Sequence, residues 1–537
     1  MWNFANVWEP IAAVIPDRPA QIRGSRQQSW GEFDQRANAL ARHLLDLGLK
    51  QQSKVAAYLY NGPEYLETYY AAFKAGLAPV NTNYRYVADE LIYLFDNADA
   101  EAVVFHASFA ETVDRIRGHL PKVKAWIALA EPGHPVPPFA ADYDAIVAGR
   151  EGRVEAPWGR SNDDLLILYT GGTTGMPKGV MWRMEDLFFV LGGGGNFFLG
   201  TPPCDRPEQA AERVLAALAS DDPINAPLMH GTAQFTGLIT LTGGGAVATL
   251  PSTSFNAIEL WNEVERLKAG SISIVGMAFA QPMLEALDAN PGRWDLSSLR
   301  RIGSSGTVWS MENKEGLLRH LPACAIFDSL GSSEAVGMGA SASGAGATSE
   351  TAKFMVTPNS ACFTEDGRRV EPGSGERGML AVSGFLPVGY YKDQEKTDRT
   401  FRMFEGRRWS VPGDWATVEA DGSLKLLGRG SQVINTGGEK VFPEEVEEAI
   451  KRYPGVRDAA VVGVPDARFG ERICAVVDVG DGAPPTLDNL AEHVRQSLAR
   501  YKAPRELVIA PVLRAANGKL DYKTVRAEAL RALNLPA

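Results

Sequence analysis

Residues 169–180 read YTGGTTGMPKGV, with four glycines, three threonines and one lysine directly after the apolar run LLIL at 165–168. Glycine takes positive φ and tolerates close backbone approach, so a strand entering such a loop can curl its amide N–H groups around an anion. The hydroxyls of Thr170, Thr173 and Thr174 add donors, and Gly171, Gly172 and Gly175 leave the backbone accessible. Lys178 adds a mobile point charge suited to a phosphate. The spacing departs from the P-loop of nucleoside triphosphatases, because Met176-Pro177 precedes the lysine and no Gly-Lys-Ser/Thr follows. Taken alone, the loop is equally readable as a surface turn with an incidental lysine.

Further stretches follow it in a fixed order: PLMHG (227–231), SSGT (304–307), DSLGSSE (328–334), PGDWATVEADG (412–422), GRGSQVINTGGEKVFPEEVE (428–447) and RAANGKLDYKTVR (514–526). This succession, spanning essentially the whole chain, resembles the acyl-adenylate-forming family of acyl-CoA synthetases, luciferases and peptide-synthetase adenylation domains. In wording it is most similar to bacterial ligases for fatty acids and steroid side-chain acids. The resemblance implies an ATP-dependent acyl-CoA ligase. A carboxylate attacks the α-phosphate of ATP, pyrophosphate leaves, and the acyl-adenylate passes its acyl group to coenzyme A.

The resemblance also implies roles. Thr170 through Lys178 wrap the β- and γ-phosphates. Glu334 carries Mg²⁺, and Ser333 stands where threonine is usual; read without the family, Ser-Ser-Glu is better taken as a cap for a helix opening at Ala335. Gly306 and Thr307 lie against the purine, with Asp328 and Ser329 beside it. Leu330 occupies the position of the usual adenine-stacking aromatic, so an apolar face replaces a π-face. Asp414 accepts the ribose hydroxyls and Arg429 reaches the same sugar and phosphate. Lys519 contacts the substrate carboxylate and the α-phosphate. His230 sits beside the acyl carboxylate, where a structural histidine is the competing reading. For the thioester step the small domain turns about Ser431, a position where Asp or Lys is more common, and Gly438 then lines the pantetheine tunnel with Lys440 nearby.

GGGGNFF (192–198), MHGTAQF (229–235), MAFAQ (277–281) and SSGTVW (304–309) are candidate linings for the acid. They carry no acid for a substrate amine and no cation for a second carboxylate, which favours an apolar acid, since a buried charge needs a partner. The glycines either enlarge the cavity or shape a turn. Two other functions are compatible with the motifs: an adenylating enzyme with a different acceptor, luciferase-like or carrier-protein-directed, and a non-catalytic nucleotide sensor.

These residues must be placed by the elements around them. SWGEFDQRANALARHLLDLGL has helical spacing and a glycine stop, and KVAAYLY, PEYLETYYAAFKAGL and AEAVVF alternate strand and helix. SISIVGM (271–277), LRRIGSSG (299–306) and ACAIFDSLGSSE (323–334) repeat that rhythm as strands running into glycine and serine. Alternation of this kind predicts an α/β fold with parallel sheets whose strand ends share a ligand site. From about Gly375, short strands with tight turns such as ADG predict a small barrel-like part. The tail, from PEEVEEAIKRY to LDNLAEHVRQSLARY, predicts a small mobile α+β domain. The expected division is 1–428, a hinge at 429–431, and 432–537, with GGGG (192–195) a loop and ASASGAGATS (340–349) a flexible connection.

At 537 residues the chain needs more than one core. A net charge of −11 argues against a general nucleic-acid binder. Four scattered cysteines (Cys204, Cys324, Cys362, Cys474) form no CxxC pair, which fits a reducing cytoplasm without zinc. The N-terminus lacks a basic signal-peptide region, and no apolar run reaches the roughly 18 residues of a membrane helix. The expected partners are a carboxylic acid, ATP and coenzyme A, and a homodimer is compatible with this reading.

Overall fold

The computed structural model describes residues 1–149, 152–170, 176–195, 200–218, 225–227, 232–306, 310–344, 352–436, 439–466, 470–479, 483–498, 500–514 and 519–535. Eight strands form one sheet, in spatial order Gly389–Tyr390, Lys178–Arg183, Leu165–Thr170, Ala78–Asn81, Lys54–Tyr58, Ala100–His106, Ala125–Leu129 and Ala141–Asp142. The run from Leu165–Thr170 to Ala141–Asp142 is parallel, as the strand–helix alternation requires. Helices Trp30–Asp46 and Pro63–Lys74 help to bury it, and Trp8, Trp30, Tyr69, Tyr70 and Trp182 are fully enclosed in the core they share. A capping box starts the first of these helices: Glu32 N–H donates to Ser29 Oγ, and Ser29 N–H donates to the Glu32 carboxylate.

An eleven-stranded sheet begins with parallel strands Ser271–Ile274, Arg301–Ser305 and Ala325–Ser332. It turns antiparallel at Ala335–Ser343 and continues through Lys353–Val356, Leu424–Arg429, Asp414–Val418 and Arg377–Ser383. Antiparallel pairing therefore starts well before Gly375. It also replaces two expectations. Ser333-Glu334 turns a β-hairpin instead of capping a helix, because Ser332 and Ala335 pair across it. Residues 340–343 belong to a strand and not to a flexible connection, while 345–349 lie outside the described residues.

The chain leaves this sheet at Arg429 and enters a five-stranded sheet at Ile434–Thr436, crossing through a 3₁₀ turn at Gly430–Gln432. The smaller sheet is sandwiched by its own helices. Val446, Ala449 and Ile450 of Pro443–Lys451, with Leu490 and Val494 of Leu487–Ser497, bury one face. Val525, Ala529 and Leu530 of Tyr522–Ala532 bury the other. All four cysteines are buried and free, and burial pushes the thiols of Cys324, Cys362 and Cys474 up to about 12. Among the described residues no helix is long and apolar enough to cross a membrane.

Candidate active site

The strand before the glycine loop pairs antiparallel with the strand after it, Thr170 opposite Lys178 and Tyr169 opposite Gly179. Thr170 and Lys178 are thus the last described pair at the base of the loop. Gly171, Gly172, Thr173, Thr174 and Gly175 lie outside the described residues. The base is clamped: Asn81 donates to the Tyr169 carbonyl at 2.8 Å and accepts from its N–H at 2.6 Å. A side chain at Gly179 has no room, because a Cβ there would come within 2.7 Å of the Tyr169 ring.

Lys178 emerges from this base to form an ion pair with Asp393, a residue the sequence reading did not single out. Asp393 also caps the helix Gln394–Thr400 by accepting from Lys396 N–H at 3.0 Å. The Lys178 ammonium, as hydrogen-bond donor, holds the Asp393 carboxyl below its ordinary value. Lys396 places its ammonium 4.3 Å from the centre of the Tyr390 ring. Burial lowers its pKa; Glu334 opposes that shift and Lys178 adds to it. Tyr390 O–H donates to Glu334 Oε1 at 2.6 Å. Lys178, Glu334, Tyr390, Asp393 and Lys396 therefore make one cluster in which cations and carboxylates alternate, drawn from three distant stretches of chain. Exchange of internal partners for phosphate oxygens is the chemistry that such a cluster allows.

Glu334 stands on a rigid mount. Trp182 Nε1–H donates to the Ser333 carbonyl at 3.0 Å and Ser410 O–H to the Glu334 carbonyl at 2.7 Å, so the hairpin tip is tied to both large sheets. A carboxylate held this way fits Mg²⁺, which takes one or two protein carboxylates and fills its remaining positions with water and phosphate oxygens.

The residues expected to hold the nucleoside gather at adjacent strand ends. Gly306, with φ +90°, ends Arg301–Ser305, and Ser305 is in register with Ser329. Asp328, in register with Ser304, commits its buried carboxylate to Lys314 at 2.5 Å, a partner that spacing could not reveal. Leu330 packs partly against a core containing Ala335, Met338 and Leu424. Asp414 is buried, and its backbone pairs with that of Arg429 on the neighbouring strand. Lys519 arrives from the C-terminal unit: a Cβ built on Gly306 would stand 4.0 Å from Lys519 Cε. The structure thus brings together residues more than two hundred positions apart in the chain. His230, Thr307 and Gly438 lie outside the described residues, as do the side chains of Arg429, Ser431 and Lys440.

Of the stretches expected to line the acid, GGGGNFF is described only as far as Gly195. The glycines at 193–195 shape a tight loop, because a Cβ at Gly194 would lie 2.8 Å from Cys204 Sγ and one at Gly195 2.4 Å from the Pro202 carbonyl. In MAFAQ, Met277, Phe279 and Ala280 are core residues.

Comparison with known proteins agrees with this fold. The AMP-binding enzyme family matches residues 8–391, and the AMP-binding enzyme C-terminal domain matches residues 445–519. The chain belongs to the AMP-binding enzyme family. It is 40% identical over 528 residues to a medium/long-chain-fatty-acid–CoA/3-oxocholest-4-en-26-oate–CoA ligase of Mycolicibacterium smegmatis, covering 97% of this chain and 95% of that protein. It is 42% identical over 533 residues to a 3-oxocholest-4-en-26-oate–CoA ligase of Rhodococcus rhodochrous, with the same coverage. A crystal structure of an anthranilate CoA ligase in complex with anthranoyl-AMP superposes with a TM-score of 0.83 at 20% identity, covering 99% of this chain and 98% of that one. Within the AMP-binding enzymes, the chain is an acyl-CoA ligase.

Proposed function

We propose that the protein activates a hydrophobic monocarboxylic acid, either a medium-to-long-chain fatty acid or a bulky steroid side-chain acid, and joins it to coenzyme A. The observation that carries this reading is identity of about two-fifths along the whole chain to ligases named for both acid types.

In the first half-reaction a carboxylate oxygen of the acid attacks the α-phosphorus of ATP, and the bond from that phosphorus to pyrophosphate breaks. Lys178 exchanges Asp393 for the β- and γ-phosphates, and Lys396 supplies a second cation beside them. Thr170 and the loop from Gly171 to Gly175 add donors. Glu334 would hold the Mg²⁺ that accompanies ATP, which would neutralise phosphate charge. Asp414 and Arg429 take the ribose, and Gly306, Thr307, Ser329 and Leu330 flank the purine. Lys519 lies against the α-phosphate and the incoming carboxylate, where charge develops. Its position beside Gly306 supports this assignment and weighs against a nucleotide sensor, which has no use for a cation brought from another unit.

In the second half-reaction the thiolate of coenzyme A attacks the acyl carbon and AMP leaves. Residues 432–537 turn about the crossing at 429–431, with Ser431 as pivot, which withdraws Lys519 and brings Gly438 and Lys440 to the thiol path. A cleft of about 450 Å³ between the two units, with Arg377, Thr417, Glu419, Lys425, Glu445 and Lys502 in its lining beside Val418, Leu427 and Leu498, suits surfaces that must part. His230 sits beside the acyl carboxylate. The reading places the enzyme in the cytoplasm, with a homodimer compatible.

An acid panel tests the assignment. Linear, aromatic and steroid side-chain acids are each incubated with ATP, and pyrophosphate release is followed with and without coenzyme A. Hydrophobic acids should support release in both conditions and form thioesters only with coenzyme A. Turnover confined to aromatic or amino acids would contradict the substrate class.

A further inference from the structure

The chain on both sides of Lys519 is tied to two acids of the C-terminal unit, the part-buried Asp458 and the buried Glu447. Upstream, Arg514 donates to Asp458 Oδ2 through Nη2 at 2.8 Å and Nε at 3.1 Å. Downstream, Tyr522 O–H lies 3.0 Å from Glu447 Oε1 and 3.2 Å from Oε2. Between these anchors an antiparallel bridge pairs Arg514 with Leu520, and Asp521 N–H donates to the Leu513 carbonyl at 3.2 Å. Lys519 therefore leaves a hairpin base whose two feet stand on neighbouring acids.

Glu447 is itself fixed. It is 2% exposed, and Val461 N–H donates to its Oε1 at 2.9 Å. Burial pushes its carboxyl up, against the pull of Lys451, and burial together with Glu447 keeps the Tyr522 phenol protonated as a donor. The packing of the helix Tyr522–Ala532 does not depend on this bond, since Val525, Ala529 and Leu530 seat it against Ala460, Val462 and Val464. The Tyr522–Glu447 bond adds a direction: it sets where the first turn of that helix begins, three residues after Lys519.

We propose that Glu447 and Tyr522 are positioning residues for Lys519, fixing the hairpin from which its ammonium reaches the nucleotide site. This rests on the assigned role of Lys519 in adenylation. A misplacement of about 1 Å in a group that must meet a transition state costs up to roughly 10²-fold in rate. The loss should fall on the half-reaction that uses Lys519.

The test uses the full chain with Tyr522→Phe, Glu447→Gln, Glu447→Leu and Lys519→Ala. Acid-dependent pyrophosphate release, coenzyme A-dependent consumption of supplied acyl-adenylate, and thermal melting are measured for each. Tyr522→Phe and Glu447→Leu should lower kcat for pyrophosphate release by about ten-fold or more, with the KM for ATP and the thioester step near wild type. Glu447→Gln keeps an oxygen acceptor for Val461 and Tyr522 and should restore most of the rate. Wild-type pyrophosphate release in Tyr522→Phe, beside a crippled Lys519→Ala, overturns the anchoring while leaving the role of Lys519 standing. Equal loss of both half-reactions in Tyr522→Phe, with a lowered melting temperature, also overturns it. Undiminished adenylation in Lys519→Ala overturns the role of Lys519 and the anchoring with it.

Discussion

Glu334 and Lys519 serve one proposed reaction, yet the molecule mounts them in opposite ways. Glu334 rides a two-residue hairpin tip tied by Trp182 to the eight-stranded sheet, by Ser410 to the antiparallel strands, and by Tyr390 through its own carboxylate. Lys519 belongs to another sheet system and another core, and it reaches Gly306 across the junction between units. The first arrangement suits a group needed throughout the catalytic cycle. The second suits a group needed for half of it, because a residue that must leave cannot be woven into the sheet that holds the nucleotide. The contrast predicts that damage to the mount of Glu334 weakens metal and nucleotide use generally, whereas damage to Lys519 separates the two half-reactions.

The largest expected effect comes from Lys519→Ala. Loss of one donor aimed at developing charge costs on the order of 10²–10³ in rate. Adenylate formation should fall by that amount, while thioester formation from supplied acyl-adenylate is spared; both rates can be followed by rapid quench. Equal loss would erase the contrast.

Ser431→Pro restricts φ in the 3₁₀ turn where the chain crosses between sheets. The two half-reactions should diverge by about ten-fold, in whichever direction the trapped orientation dictates, with an unchanged melting curve. Equal wild-type rates in both would remove Ser431 from the pivot.

Tyr390→Phe tests the rigid mount. It deletes the donor to Glu334 Oε1 and leaves the ring under Lys396. A hydrogen bond to a charged group is worth about 1.5–3 kcal/mol, so the magnesium concentration for half-maximal adenylation should shift by roughly ten-fold or more. An unchanged magnesium titration would detach Tyr390 from the metal carboxylate.

Leu330→Tyr should have the smallest effect. Stacking contributes roughly 0.5–1.5 kcal/mol beyond area burial, so the KM for ATP should fall a few-fold. A raised KM with an intact fold would mean that Leu330 serves the core containing Ala335 and Met338 and not the purine.

What sequence could reveal divides along the same line. The placement of residues in the ordered motifs was legible, because a strand followed by glycine announces where it ends: Thr170 and Lys178 close one hairpin, and Asp414 lies opposite Arg429. Asp393 and Lys396 were not legible. KDQEK has the composition of a solvated turn, and the contact from Asp393 to Lys178 spans 215 positions. Glu447 was hidden similarly, inside the acid-rich PEEVEEAIK, where only its place between the buried Val446 and the buried Ala449 and Ile450 marks an inward face. The Ser-Ser-Glu turn was ambiguous for a different reason. Serine before an acid suits a helix cap, and only the pairing of Ala335–Ser343 with Ala325–Ser332 across the turn selects the hairpin. The glycines at 193–195 required the approach of Pro202 and Cys204 before their purpose could be read.

The most direct test of the central claim, that one chain forms an acyl-adenylate and then moves to consume it, is a single-turnover rapid quench of the wild-type enzyme. Enzyme in excess is mixed with ATP, magnesium and a hydrophobic acid, aged without coenzyme A, and then chased with it. Acyl-AMP should accumulate to near one equivalent per limiting acid before the chase, with pyrophosphate released in step. Coenzyme A should then convert it to acyl-CoA and AMP. Absence of acyl-AMP before the chase, or thioester formation without its loss, would contradict the account.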